Sequence, residues 1–195
     1  MKKIIIIALL LMTATGLMAQ QQTLLSGDLQ SGGFGGPVVK FTQMNDAFAV
    51  MVGGRGGWII NKTITLGGGG YGLSNPIYLT NEEKYRIHMG YGGFELGFNM
   101  ASDDLIHLSF HTLVGGGGFV VLEKHYDDWD DDHGVDDAFF VVEPHLAVTL
   151  NLANNFRIEV GGSYRYINGV DDVDLKDSDF EGFSAHIGFK FGKFN

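Results

Sequence analysis

Phe156-Arg157-Ile158-Glu159-Val160-Gly161-Gly162-Ser163-Tyr164-Arg165-Tyr166 alternates without a break. Phe156, Ile158, Val160, Gly162, Tyr164 and Tyr166 share one parity, and Arg157, Glu159, Gly161, Ser163 and Arg165 share the other. Successive side chains on a strand point to opposite faces. This segment therefore meets an apolar medium on one side and a polar one on the other. The pattern recurs where Phe183, Ala185, Ile187, Phe189 and Phe191 alternate with Ser184, His186, Gly188, Lys190 and Gly192, and again around Ile106-His107-Leu108-Ser109-Phe110-His111.

Working outward, eight such segments are expected, at about 34–42, 46–61, 63–73, 84–100, 105–124, 138–151, 155–168 and 180–194. Most exceed the 5–6 residues usual in soluble sheets, about the 9–11 that a tilted strand needs to span a bilayer, or more. Asn61-Lys62, Ala101 to Asp104 and Leu152 to Asn154 are tight connectors on one rim, while 74–83, 125–137 and 169–179 are longer and polar on the other. Gln43-Met44-Asn45 is the one short connector on the long-loop rim. Short turns on one rim and long loops on the other mark an outer-membrane barrel. The expected fold is all-β: an eight-stranded antiparallel up-and-down transmembrane β-barrel.

Composition agrees. Glycine supplies 30 of 195 residues and proline only 3. That glycine share is about twice the usual ~7%. The glycine runs fall inside expected strands, where they make room for large inward side chains in a narrow barrel. Odd parity is apolar at Tyr85, Ile87, Met89 and Tyr91, and even parity at Phe94, Leu96 and Phe98, so a bulge is expected at Gly92-Gly93. No cysteine is present, which excludes disulfides, thiolate metal sites and a Cys nucleophile. A formal charge of −10 argues against a nucleic-acid partner.

Lys2-Lys3, the apolar run Ile4 to Met12 and the small residues before Gln20 have the layout of a signal peptide over 1–19. Residues 20–33 are polar and form a tail or a partial plug, leaving 34–195 for the barrel.

Gly-Tyr-Gly-Gly-Phe-Glu-Leu-Gly-Phe (90–98) and the stretch from Val142 to Tyr166 resemble the small, largely uncharacterised outer-membrane β-barrel proteins of Bacteroidota. The resemblance spans most of the chain after residue 19. It implies an eight-stranded barrel in the outer membrane of a Gram-negative cell, reached after signal-peptide cleavage. It carries no agreed activity and no catalytic residues. Outer-membrane barrels usually end on an aromatic in phase with the outward face, whereas Phe194 is out of phase with Phe189 and Phe191.

With the apolar parity toward lipid, the lumen is expected to hold Arg55, Glu95, Asn99, His107, His111, Glu143, His145, Arg157, Glu159, Arg165, His186 and Lys190. A three-residue turn at 102–104 would pair Asn99 with His107 and Glu95 with His111. A similar turn at 152–154 would pair Thr149 with Arg157 and set Glu143 near Ser163. Buried charges of this kind must pair, so the reading is a plug of ion pairs and hydrogen bonds. Glu95, Ser109 and His111 have the residue types of an acyl hydrolase, but no nucleophile elbow is present. His107 and His111 lie about 13 Å apart along a strand, too far for one ion.

The acidic loops are the second feature. Residues 125–137 hold seven Asp, and 169–179 hold five more. Asp128, Asp130 and Asp132 have the spacing of a cation loop, without the closing Glu of an EF-hand. Ca²⁺ or Mg²⁺ suits these carboxylates, and His125 with His133 suits Zn²⁺. Tyr126 and Trp129 are candidate contact aromatics.

The expectation is a monomeric barrel among outer-membrane lipids, with a structural or surface-interaction role. Its loops at 125–137 and 169–179 would meet divalent cations or an extracellular partner. Two other classes stand beside it: an outer-membrane enzyme with a lumenal or rim His/Glu site, and a secreted lipocalin-like barrel with the two faces exchanged.

Overall fold

A computed structural model describes residues 30–78, 85–125, 128–129, 135–170 and 175–194. The expected signal peptide lies outside these residues, as does the polar tail up to residue 29; the last three residues assigned to the tail, Ser31 to Gly33, are instead the start of β1 and pair with β2. Ten strands follow in order: β1 (Ser31–Met44), β2 (Ala47–Ile60), β3 (Ile64–Leu73), β4 (Ile77–Tyr78), β5 (Tyr85–Met100), β6 (Ile106–His125), β7 (Asp128–Trp129), β8 (Val135–Ala153), β9 (Phe156–Asn168) and β10 (Gly182–Lys193). β4 and β7 are two-residue additions on β5 and β6. The other eight close on themselves in the order β1-β2-β3-β5-β6-β8-β9-β10, each antiparallel to its neighbours, and β1 pairs with β10. The chain is a closed eight-stranded antiparallel β-barrel. Closure leaves none of the eight with a free edge, which lets apolar strands face outward without inviting edge pairing.

The turns form where short polar residues tolerate a left-handed backbone. Asn45 and Asp46 have φ of 47° and 58°, the two-residue hairpin conformation that matches strand twist. Asn61 and Lys62 repeat it at 49° and 61° on the opposite rim. That opposite rim is laced by side chains: Lys62 pairs with Asp103 at 2.8 Å, and the Asn151 amide donates to the Ser102 and Asp104 carbonyls. Phe194 is buried there beneath the Arg157 guanidinium, 4.0 Å from ring centroid to charge. Its phase is therefore inward, as its parity predicts, while Phe191 faces out.

Three register details differ from the sequence reading. The turn after β5 has five residues, 101–105, so Asn99 pairs with Ser109, Gly97 with His111 and Glu95 with Leu113. An irregularity at Asn151/Ala153 moves Thr149 opposite Glu159 and Asn151 opposite Arg157. Gly92-Gly93 is not a bulge: both ladders run through it without a shift. The change of parity has another cause. Odd residues point inward along all of β5, and the interior itself changes character. In mid-barrel it is charged. Toward the long-loop end it becomes apolar, with Tyr71, Ile87, Met89, Phe119, Val121, Phe139, Val141 and Ile167 packed together. β6 and β8, at 20 and 19 residues, extend well beyond the 14-residue β1 and β2. This taller part has a core like that of a soluble barrel.

The outside carries the complementary belt. Phe94, Leu96, Phe98, Ile106, Leu108, Phe110, Leu146, Val148, Val160 and Ile187 are all exposed. Glycine allows the wall behind that belt to close tightly. A Cβ on Gly115 would lie 2.1 Å from the Gly92 carbonyl oxygen and 2.5 Å from the Gly93 Cα. A Cβ on Gly162 would meet only the Ser184 carbonyl oxygen, at 3.6 Å. Gly115→Ala is expected to lose about 1–3 kcal/mol or more by overpacking. Gly162→Ala should stay within about 0.5 kcal/mol. Urea unfolding in lipid vesicles, followed by the folded-to-unfolded gel shift, measures both, and equal losses would contradict this wall geometry.

Candidate functional site

Alternation on β1, β2, β5, β6, β8, β9 and β10 turns every second side chain inward, and in mid-barrel most of these are polar. Closure brings them onto a common axis. The result is two linked ionic centres. Glu143 is wholly buried and accepts from Lys40 Nζ at 2.7 Å, Tyr91 Oη at 2.7 Å and Ser163 Oγ at 2.7 Å. Lys40 Nζ also donates to Tyr91 Oη at 3.2 Å and sits 3.4 Å above the Tyr71 ring centroid. The second centre is Glu159, again wholly buried, which accepts from Arg55 Nη1 at 2.7 Å and bonds Lys190 Nζ. Arg55 bridges onward to Glu95, Nε to Oε2 at 3.0 Å, and approaches His111 Nδ1 at 3.3 Å.

The histidines gather between these centres. His111 and His145 stack with centroids 4.2 Å apart and planes at 18°, and His186 stands edge-on to His145 at 5.3 Å. His145 Nε2 lies 3.6 Å from Glu143 and His186 Nε2 lies 3.6 Å from Glu159. No hydrogen bond reaches either nitrogen of His107, His145 or His186, or Nε2 of His111. Stacked rings point their in-plane lone pairs side by side rather than at one ion. Among the described residues no three His, Asp or Glu side chains form a metal site.

All twelve residues expected in the lumen lie on the inward parity. Ten are buried, and Asn99 and Arg157 are half-buried toward the short-turn rim. Arg165 is buried but joins neither ionic centre through a hydrogen bond. Its Nε donates to the Phe180 carbonyl at 2.7 Å, tying the barrel wall to the one-turn helix Asp177–Phe180 between β9 and β10. Phe180 itself is buried against Phe119, at 4.9 Å between centroids.

Glu95, Ser109 and His111 do not assemble as a relay. Glu95 is held by Arg55, Ser109 donates to Asn99 Oδ1 at 3.0 Å and contacts Thr149 Oγ1 at 3.0 Å, and His111 faces Arg55. The five-residue turn separates them by shifting Glu95 opposite Leu113. Asp130, Asp132 and His133 lie outside the described residues, and of His125 and Asp128 the structure gives the backbone pairing alone.

Lys40, Tyr71 and Tyr91 are members of the site that parity counting missed. Lys40 was legible as a lone cation in Val38-Val39-Lys40-Phe41, on the same parity as Thr42 and Met44. Tyr91 stands on the parity read as lipid-facing, yet it and Tyr71 each turn a hydroxyl to a lumenal glutamate.

The fold is shared with solved β-barrels. The neisserial surface protein A crystal structure matches with a TM-score of 0.58 at 9% identity, over 87% of this chain and 100% of that one. The N-terminal β-barrel domain of Pseudomonas aeruginosa OprF matches with a TM-score of 0.56 at 10% identity, over 83% of this chain and 96% of that one. No protein-family model and no curated protein matches this sequence. At such identities the likeness is one of fold.

Removing one partner from a buried ion pair leaves the other charge uncompensated, at about 3–5 kcal/mol. Glu143→Gln is expected to destabilise the barrel by that amount, as is Lys40→Met. The double variant Lys40→Met, Glu143→Gln should recover most of it. Strictly additive losses in a urea double-mutant cycle would show that the pair is not coupled.

Proposed function

We propose that this protein is a small outer-membrane barrel that holds acidic loops at the cell surface, in a structural or surface-interaction role. The carrying observation is the inversion of polarity. Charged and imidazole side chains fill the middle of the barrel, while Phe94, Leu96, Phe98, Leu108, Phe110 and Leu146 are exposed around it. Water outside would penalise that belt, and hydrocarbon outside accounts for it. A lipocalin-like barrel needs the opposite arrangement. The paired charges fill the lumen, as eight strands leave room for little else, so the barrel is a closed anchor rather than a pore.

The loops carry the interaction. The strand ends that flank the 125–137 and 169–179 segments lie on the rim opposite the tight turns 61–63, 101–105 and 154–155. In this reading that rim faces outward from the cell, the chain acts as a monomer, and the signal peptide over 1–19 is removed on export. Their twelve Asp bind Ca²⁺ or Mg²⁺, hard cations suited to oxygen ligands. Such ions bridge carboxylates to anionic surface lipids.

Membrane fractionation is expected to place the protein with the outer membrane, and the unboiled protein should migrate faster on a gel than the boiled one. Recovery as a soluble periplasmic or secreted protein without detergent would overturn the reading. For the loops, calorimetric titration with Ca²⁺ should give binding that is lost in a variant with Asp128, Asp130 and Asp132 changed to Asn. Identical titrations would remove the cation from the proposal.

A further inference from the structure

The short-turn rim encloses a cavity of about 310 Å³. Its lining comes from three turns far apart in the chain: Lys62 follows β2, Ser102 and Asp103 follow β5, and Asn154 follows β8. Arg157, from the inward face of β9, and the buried Phe194 complete it. The cavity is therefore the mouth of the lumen on this side. Its volume is at the small end of ligand pockets, which run from about 300 to 1,000 Å³.

Arg157 is the unusual member. Lys40, Arg55 and Lys190 each pair with a glutamate deeper in the lumen. Among the described residues Arg157 pairs with no carboxylate. A guanidinium offers five N–H donors in a planar fork. Here one of them makes a contact, from Nη2 to the Ser102 carbonyl at a long 3.4 Å. The Phe194 ring covers one face of the group at 4.0 Å and so fixes its plane. Asp103 lines the same cavity but is engaged elsewhere, since Lys62 Nζ donates to both of its oxygens at 2.8 and 3.1 Å. Ser102 is 7% exposed, and its hydroxyl makes no hydrogen bond among the described residues. An oriented cation and a buried hydroxyl donor thus line one cavity, both without an acceptor of matching strength.

Charge narrows the ligand. Arg157 and Lys62 against Asp103 leave the lining with two cations and one carboxylate, a net of one positive charge. A singly charged anion balances that sum. A doubly charged one meets the repulsion of Asp103, which is how a site rejects a competitor. A guanidinium fork takes the two oxygens of a carboxylate in parallel hydrogen bonds.

We propose that this mouth is a binding site for the carboxylate group of a small, singly charged acid. Arg157 holds its two oxygens, Ser102 Oγ donates to one of them, and Lys62, tethered by Asp103, contributes field rather than contact. The site needs only the rim geometry. That its ligand comes from the periplasm rests on the orientation given under the proposed function.

The test is an acetate titration of the full-length, ¹⁵N-labelled barrel in phosphatidylcholine nanodiscs, at neutral pH and constant ionic strength. The Arg157 Nε and Ser102 amide signals are expected to shift together and saturate, while Arg55 Nε stays in place. Ser102→Ala should weaken binding about tenfold, the loss of one hydrogen bond to a charged group. Arg157→Gln, followed at the Ser102 amide, should abolish it. Sulfate, a dianion, should bind at least about tenfold more weakly than acetate, and Asp103→Asn should remove that difference. The folded-barrel gel shift checks that each rim variant is intact. Absence of a saturating shift, or a shift that survives Arg157→Gln, would overturn the site. Equal binding of sulfate and acetate would overturn the selection by charge. Binding that appears only after the chain is extended past Asn195 would show that a terminal carboxylate occupies the fork, and would overturn the external ligand. None of these outcomes depends on which way the barrel faces, so failure of the site and failure of the proposed orientation are separate results.

Discussion

Pairing of β1 with β10 is the constraint on which the rest of the structure depends. Without it the eight strands would form an open sheet, and Lys40, Glu143, Arg55 and Glu159 would have no common interior. Closure converts period-two alternation into inside and outside. It also brings residues far apart in the chain together: Lys40 meets Glu143 across 103 positions and Arg55 meets Glu159 across 104. Contacts of such sequence separation carry a loop-closure cost that must be met before the ionic centres can form.

The interior then has to be neutralised locally. Its buried cations are Lys40, Arg55, Arg165 and Lys190, and its buried carboxylates are Glu95, Glu143 and Glu159. Each carboxylate takes at least one cation. Arg165, the fourth, is turned toward a backbone carbonyl and the Tyr91 ring, 5.7 Å away. Neutral hydroxyls and imidazoles fill the remaining space. Narrowness makes this possible, since an eight-stranded barrel leaves a lumen that one side chain can cross.

Much of this was legible in the sequence, and the failures are informative. Alternation in 156–166 and 183–192 located the strands and gave the correct parity to all twelve lumenal residues. Strand ends were less visible, because a tight turn can absorb one or two residues without changing the hydrophobic pattern. That is why Glu95 and Asn99 shifted against His111 and His107. Tyr91 was misread because an aromatic with a hydroxyl fits a lipid interface and a buried carboxylate equally well by composition. The bulge assigned to Gly92-Gly93 had a deeper error behind it: it assumed that one medium lay on each face over the whole strand. The glycines sit where the interior passes from charged to apolar, and the strand itself continues unbroken.

That passage accounts for the two kinds of core in one barrel. Where the outside is an apolar belt, the inside can carry charge, because the backbone is satisfied by its neighbours and the charges by one another. Where β5, β6 and β8 rise past that belt, His88 is exposed on the outer face and Ile87 and Met89 are buried on the inner one. There the usual burial of apolar area stabilises the structure, at about 25 cal/mol per Å². The outer loop completes this second core by inserting Leu175 and Phe180, and Arg165 fixes it at the boundary between the two. A single arginine on β9 thus belongs to the charged zone by position and to the apolar cap by its hydrogen bond. The height of the cap is therefore tied to the register of the barrel.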